Sequence, residues 1–505
     1  MSGGDVVTWA GRLNGLQQYS SAVLTPDTAT GGLTYRQLLD GCGIHGCKNA
    51  FCAGHSITAD NEVLIFGGHA DKVQWFRRYN HATGNLTAVE LMPSGRWYPT
   101  PVTLHDGRVV VVGGIIDSGQ AGWHAEGNYT ADNPTYTVYN PAGAGGKGTF
   151  TEDKMDMYEQ LHEAFPIHTY PHVVLLPDGG LAMSAGKTLV KYDQTGEESF
   201  ARAYPMEDRP GPPWSYPQTG QGTPLPIEPP YDRIWFLASG GNADDRARVT
   251  TPASDTAHLI ELTGGPSASW EDVGPMPYER VMGDAIVLCD GTIGYFGGAG
   301  QGIAGWNLKE GETQTFEFRD GTVWECPEKC SKAFDWRLEP TIYDPTTGRW
   351  SAQGSLAKSV RPRLYHSITM LMHDCRVLTS GSDVSWDFTA EFYSPPYLSA
   401  GPRPAITAAT PTRLLPGQPI TVSYTTTDPV TRALLIRNAA NTHSMSFDAR
   451  ALWLNVTSNA GGQLTLATPA SGSVLPPGPY MLVLNTDEGV PSNAQTLTVL
   501  PSSAP

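Results

Sequence analysis

The sequence predicts an all-β chain in two parts, a seven-bladed β-propeller over residues 1–398 and an immunoglobulin-like β-sandwich over residues 399–505. Three observations predict it. Six segments repeat one plan of strand, tight turn with Asp or Gly, strand and small-residue stop. Between them lie segments such as YNHATGNLTAVELM, YDQTGEESFARAY and YDPTTGRWSAQGSL, which read as outer hairpins of four-stranded units. After Pro395-Pro396-Tyr397 the composition shifts to short alternating strands rich in Pro and Thr, at sandwich spacing.

Taken in order, the N-terminal stretch MSGGDVVTWAG has no basic region followed by an apolar one, so it does not read as a signal peptide. The N-terminal strand is expected to close the ring with the last blade and so make the seventh. The repeats follow: FCAGHSITADNEVLIFGG from Phe51, RWYPTPVTLHDGRVVVVGG from Arg96, YPHVVLLPDGGLAMSAG from Tyr170, a unit with an enlarged turn from Tyr216, RVMGDAIVLCDGTIGYFGG from Arg280 and RLYHSITMLMHDCRVLTSG from Arg363. Their period is that of kelch-type repeats stretched by insertions. The last part carries RALLIRN, ALWLNVT, QLTLATPA, YMLVLN and AQTLTVL as sandwich strands, with His443 on the polar turn NTHS before SMSFDAR.

Bulk properties narrow the function. A chain of 505 residues buries a large core. A formal charge of −17 repels phosphates, which speaks against nucleic acid and anionic membranes as partners. No eighteen-residue apolar run occurs, so no membrane span is expected. Of the seven cysteines, Cys42 with Cys47 and Cys326 with Cys330 are close enough to close small loops, and Cys289 and Cys375 lie at the turns of two repeats that a bridge could join. That pairing would leave Cys52 alone. Sequons at Asn85, Asn128 and Asn455 agree with a secreted, oxidising context. Monomer is the expected state.

One offset recurs. From Cys52 to Gly67, Tyr98 to Gly113 and His366 to Gly381 the distance is 15 residues each time. If the repeats are blades, a thiol, a phenol and an imidazole stand at one depth near the axis. Singly each has an ordinary reading: a buried free cysteine, a core tyrosine, a packed histidine. Successive strand side chains point to opposite faces, so Tyr365 and His366 serve one site only if they sit at a strand start. His443 joins them only if its turn reaches down the axis from the second domain.

With those residues in place, the chain resembles the galactose oxidase/glyoxal oxidase family of copper radical oxidases, nearer the glyoxal oxidase branch. GRWYPT, NPTYTVYNP, ERVMGDAIVL, GAGQGIAGW, RPRLYHS and NTHS carry the likeness. The resemblance implies one copper ion with Tyr98, Tyr365, His366 and His443 as ligands. It implies a Cys52–Tyr98 thioether as a protein-derived radical cofactor, with Tyr98 as the radical's seat and Tyr365 as axial ligand and base. Copper(II) favours such a tetragonal set of N and O donors.

The family's tryptophan over the thioether has no counterpart after the second repeat, where Ile116 stands. Trp306 is expected in that role, with Trp214 as the other choice. Arg96, Gln218 and Gln301 are candidate substrate contacts, and His172 a candidate donor to the cavity. The expected reaction takes small aldehydes of the glyoxal or methylglyoxal type to acids with O2 reduced to hydrogen peroxide, which peroxidases could consume. Oxidation of primary alcohols to aldehydes is the alternative within the same chemistry. A kelch-type binding module and a copper-binding but redox-inactive relative are the others.

Overall fold

The computed structural model describes residues 6–12, 19–26, 33–37, 50–69, 73–116, 133–143, 148–156, 169–195, 199–214, 219–244, 249–306, 314–317, 323–326, 331–382, 389–437 and 440–503. Its described secondary structure is β-strand apart from two short 3-10 turns. Among the described residues no helix is long and apolar enough to cross a membrane.

Among the described residues six antiparallel sheets form blades in chain order. Their inner strands are Gly54–Ile57, Thr100–Thr103, His172–Leu175, Gln221–Pro224, Asp284–Val287 and Ile368–Leu371. Five blades have four strands and the last has three, ending at Ala390–Tyr393. The second blade shows why the sequence folds this way: Val109–Val112 is a run of β-branched residues buried on both faces. Each such valine contributes about 1.5–3 kcal/mol by leaving water.

The blade count differs from the expected seven. The N-terminal strands Val6–Arg12, Tyr19–Pro26 and Leu33–Gln37 pair with one another as a separate sheet, and among the described residues the last blade takes no strand from them. Three strands consecutive in the chain satisfy ladder hydrogen bonds among themselves. The fifth blade carries an insertion the sequence did not disclose. Between Ile293–Phe296 and Thr341–Asp344 the chain leaves as a ribbon, Ala299–Trp306 against Ser331–Trp336, with Gln314–Glu317 and Val323–Cys326 paired further out. GAGQGIAGW is therefore strand rather than loop.

The C-terminal strands also depart from a two-sheet sandwich. Eight strands hydrogen-bond into one sheet curled around a core that includes Leu435, Leu452, Leu464, Leu466 and Leu482. The ten-residue strand Ala451–Ala460 causes this. Its first half pairs with Val430–Arg437 and its second half with Gln463–Ala467, with an irregularity between Val456 and Ser458. Pairing thus continues from one layer into the other.

This second unit covers the propeller face formed by the inner hairpin turns. Arg450 donates to Leu175 O at 2.6 Å, Asn485 to Cys289 O at 3.0 Å, and His373 shares a hydrogen bond with Thr496 at 2.9 Å. A disulfide joins Cys289 and Cys375, so the turns of the fifth and sixth blades are tied. The expected pairings Cys42–Cys47 and Cys326–Cys330 lie outside the described residues.

Candidate functional site

Each of the three 15-residue stations has a left-handed backbone: φ is 65° at Cys52, 64° at Tyr98 and 67° at His366. Tyr170 (48°) and Met282 (56°) begin two further blades in the same way. The chain enters each blade from outside and turns sharply into the inner strand. A left-handed residue makes that turn, and it breaks the alternation of an extended strand. Neighbouring side chains can then meet. The rings of Tyr365 and His366 lie 3.7 Å apart, and those of Trp97 and Tyr98 3.9 Å.

The constant offset has its own cause. In four of the described blades the glycine that ends the second strand presents its carbonyl to a buried arginine. Arg77 donates to Gly67 O at 2.7 Å, Arg96 to Gly113 O at 2.9 Å and Arg363 to Gly381 O at 3.1 Å, and Arg280 binds Gly297 O. Arg96 is fully buried and also bonds Thr135 and Thr137, so it is a latch of the blade rather than a substrate contact.

The fourth element comes from the second unit. A hairpin, Ala440–Thr442 paired with Met445–Phe447, enters the centre of the ring and touches inner strands of five blades. Its two turn residues are His443 (φ 52°) and Ser444 (φ 64°). Positive φ at both positions marks the type I′ turn, whose twist matches the strands and which usually takes Asn-Gly. Here His443 stands at that tip, 7 % exposed.

Four segments thus meet. The Tyr98 and Tyr365 hydroxyls share a hydrogen bond at 2.8 Å. The His443 ring lies 4.9 Å from Tyr98, 5.0 Å from Tyr365 and 4.9 Å from His366, which it meets at 85°. Burial drives both imidazoles toward the neutral, ligating form: His443 is lowered to about 3, and His366 falls well below its usual value. Thr442 Oγ1 lies 2.5 Å from His443 Nδ1 and so fixes the ring. Among the described residues no three His, Cys, Asp or Glu side chains gather into a metal site. A metal at this point therefore requires the phenols, and two neutral imidazoles with two phenols fit copper.

Cys52 is a buried free thiol in the same cluster as Trp97, Tyr98 and Tyr170. Burial raises it to about 12, against the pull of hydrogen bonds with Tyr98 and Trp97. Its backbone carbonyl accepts from Tyr98 N at 3.1 Å, which holds the two stations side by side.

Reasoning from sequence missed three neighbours. Trp97 packs against Tyr98, whereas Ile116 is 40 % exposed; the signal was the dipeptide itself. Tyr170 stands 4.6 Å from Tyr98 and 5.3 Å from His443, and its hydroxyl donates to Ala53 O at 3.0 Å. Asp284, in the quoted ERVMGD, lines a small cavity of about 10 Å³ with Thr219, Met282, Tyr365 and His443. Burial lifts its carboxyl to about 7, opposed by hydrogen bonds from Thr369 and Ser444.

Other candidates lie elsewhere. Gln301 is on the inserted ribbon and donates to Val249 O at 3.4 Å. Trp214 is buried and donates to Gly240 O at 2.9 Å. His172 packs 5.9 Å from Trp214 and 5.6 Å from Phe236, between the third and fourth blades. The Trp306 side chain and Gln218 lie outside the described residues.

The family described as "Glyoxal oxidase N-terminus" matches residues 44–317, and "Galactose oxidase-like, Early set domain" matches residues 403–499. An aldehyde oxidase GLOX from Vitis pseudoreticulata is 27 % identical over 484 residues, 90 % of this chain and 82 % of that protein. A galactose oxidase from Gibberella zeae is 26 % identical over 462 residues, 89 % of this chain and 60 % of that protein. A fungal alcohol oxidase solved in complex with copper shares the fold, with a TM-score of 0.74 at 20 % identity, covering 99 % of this chain and 95 % of its own.

Proposed function

Because the chain belongs to the glyoxal oxidase branch of the copper radical oxidases, we propose that it oxidises small aldehydes, as their hydrates, to carboxylic acids while O2 becomes hydrogen peroxide. The observation that carries this reading is the meeting of two phenols and two neutral imidazoles from three separate segments. Tyr98, Tyr365, His366 and His443 would hold one copper ion. When bound, copper supplies a Lewis acid and a one-electron acceptor, and a radical on the protein supplies the second oxidising equivalent.

The chain's own residues do the rest. Tyr365 takes the proton of the substrate hydroxyl and Tyr98 the hydrogen from the substrate carbon, the two hydroxyls standing 2.8 Å apart. Cys52 joins its sulfur to the Tyr98 ring. A C–S bond forms, the S–H and one ring C–H break, and O2 takes the two electrons and two protons as hydrogen peroxide. The thioether lowers the oxidation potential of the ring. Trp97 covers Tyr98 and shields it from water, the role expected of Trp306. Asp284 borders the same cavity as Tyr365, its carboxyl raised by burial to about 7.

We place the catalytic unit at residues 1–398 and the unit that supplies His443 at 399–505. Secretion as a monomer fits the Cys289–Cys375 bridge and the exposed sequon residues Asn85 and Asn455. A peroxide-consuming peroxidase is the matching partner. Primary-alcohol oxidation is the second reading, favoured by the copper-bound alcohol oxidase of the same fold. The test is a peroxide-coupled assay of the copper-loaded protein over aldehydes and primary alcohols. The proposal expects turnover of small aldehydes with stoichiometric acid; turnover of alcohols alone would favour the second reading, and no peroxide with either class would end both.

A further inference from the structure

We propose that Asp448, clamped by Arg437, Ser56 and Thr103, is a positioning residue that sets how deep His443 reaches along the propeller axis. The inference rests on the reading of His443 as a metal ligand and adds what holds it there.

Asp448 directly follows the hairpin and is nearly buried, and Arg437 closes the strand before it. The Asp448 carboxylate accepts four donors: Ser56 Oγ at 2.8 Å, Thr103 N at 2.8 Å, Thr103 Oγ1 at 2.7 Å and Arg437 Nη2 at 3.3 Å. The Ser56 and Thr103 hydroxyls also lie 2.6 Å apart. Arg437 reaches onward to Ile57 O at 3.4 Å and Pro477 O at 2.6 Å. A buried charge pair held by this many hydrogen bonds resists displacement, because a shift leaves a buried charge unsolvated.

The clamp stands at a fixed distance from the site on three segments. Asp448 is five residues from His443, Thr103 five from Tyr98, and Ser56 four from Cys52. At roughly 3.3 Å per strand residue, each segment spans about 13–17 Å. The hairpin and the first two inner strands therefore form side-by-side rods of matched length, pinned at one end by Asp448 and meeting at the other at the candidate metal site. A pin at the base fixes depth at the tip. Nearer the tip, Asn441 Nδ2 donates to Thr369 O at 2.5 Å and the Ser444 backbone bonds Asp284, and beyond the base Arg450 donates to Leu175 O, but Asp448 is the group that ties the hairpin to both strands carrying Cys52 and Tyr98.

The test uses the full chain as Asp448→Asn, Thr103→Val and Thr103→Ser, with copper(II) as the probe. Read-outs are copper affinity and the nitrogen hyperfine pattern in electron paramagnetic resonance, beside thermal unfolding. D448N places an amide among donors that need an acceptor. It should weaken copper binding by about 10–100-fold, the scale of partners that orient metal ligands, and should reduce the two-nitrogen pattern toward one. T103V should move both in the same direction by less, and T103S should restore wild-type values. A purely structural role would lower the melting temperature with an unchanged spectrum; that result in D448N, or in T103V if D448N does not fold, overturns the proposal. If His443→Ala binds copper as the wild type does, the ligand reading fails instead.

Discussion

A left-handed backbone costs a residue other than glycine about 1–3 kcal/mol, and Cys52, Tyr98, Tyr170, His366 and His443 all carry it. Met282 carries the same backbone, so it is the side chains themselves, a thiol, two phenols and two imidazoles, that read as chemistry. Tyr98→Phe should keep the fold by circular dichroism yet lower oxidase turnover at least about a thousandfold, roughly 4 kcal/mol of barrier; turnover within tenfold of wild type would remove Tyr98 from the mechanism. Cys52→Ala should abolish the difference in denaturing-gel mobility between untreated and copper-oxidised protein, and a persisting difference would place the cross-link elsewhere. His172 gives a pH effect apart from the site. Burial and then Arg209 lower it to about 4, so it is neutral when folded. The unfolded chain binds its proton below about 6.5 while the folded chain does not, so stability is present above that pH and is lost as pH falls toward 4. His172→Gln should flatten that loss in unfolding curves taken across the range. At this scale the sequence was legible where an offset recurred, at Cys52, Tyr98 and His366. Trp97 was not, because its place beside Tyr98 follows from backbone φ and not from spacing.

Among elements, the hairpin around His443 and Ser444 decides most. Two non-glycine residues fill a turn that prefers Asn-Gly. Ser444→Gly should therefore raise stability by about 1 kcal/mol, measured as a higher denaturant midpoint with copper binding kept; a lower midpoint would show that the Ser444 side chain carries a contact worth more than the strain. The turn NTHS was visible in sequence, yet its reach was not, because depth is set by Asp448 meeting Ser56 and Thr103 some 390 and 345 residues away in the chain. The ribbon Ala299–Trp306 was hidden for a related reason. Its glycines resemble a loop, and only its partner strand Ser331–Trp336 makes it a sheet.

For the whole molecule, the site exists because a second unit sits on the propeller's turn face and sends one hairpin through its thickness. The repeats made the propeller legible. The blade count was not, because strand partners at the N-terminus are a matter of competition between local and distant pairing. Nor was the curled C-terminal sheet, since the shared strand Ala451–Ala460 has the same pattern as a sandwich strand. The Cys289–Cys375 bridge closes a separation of 86 residues between blades and touches no candidate ligand. Replacing both cysteines by serine should cost about 2–5 kcal/mol of stability and leave the copper spectrum as it was; an altered spectrum would show that ring closure itself shapes the site. The most direct test of the account is copper(II) titration of the metal-free chain, followed by electron paramagnetic resonance, on the wild type, H366A and H443A. The account predicts one copper per chain with two nitrogen ligands, and a lost nitrogen with much weaker binding in each variant. Equal binding with unchanged nitrogen coupling in all three would contradict it.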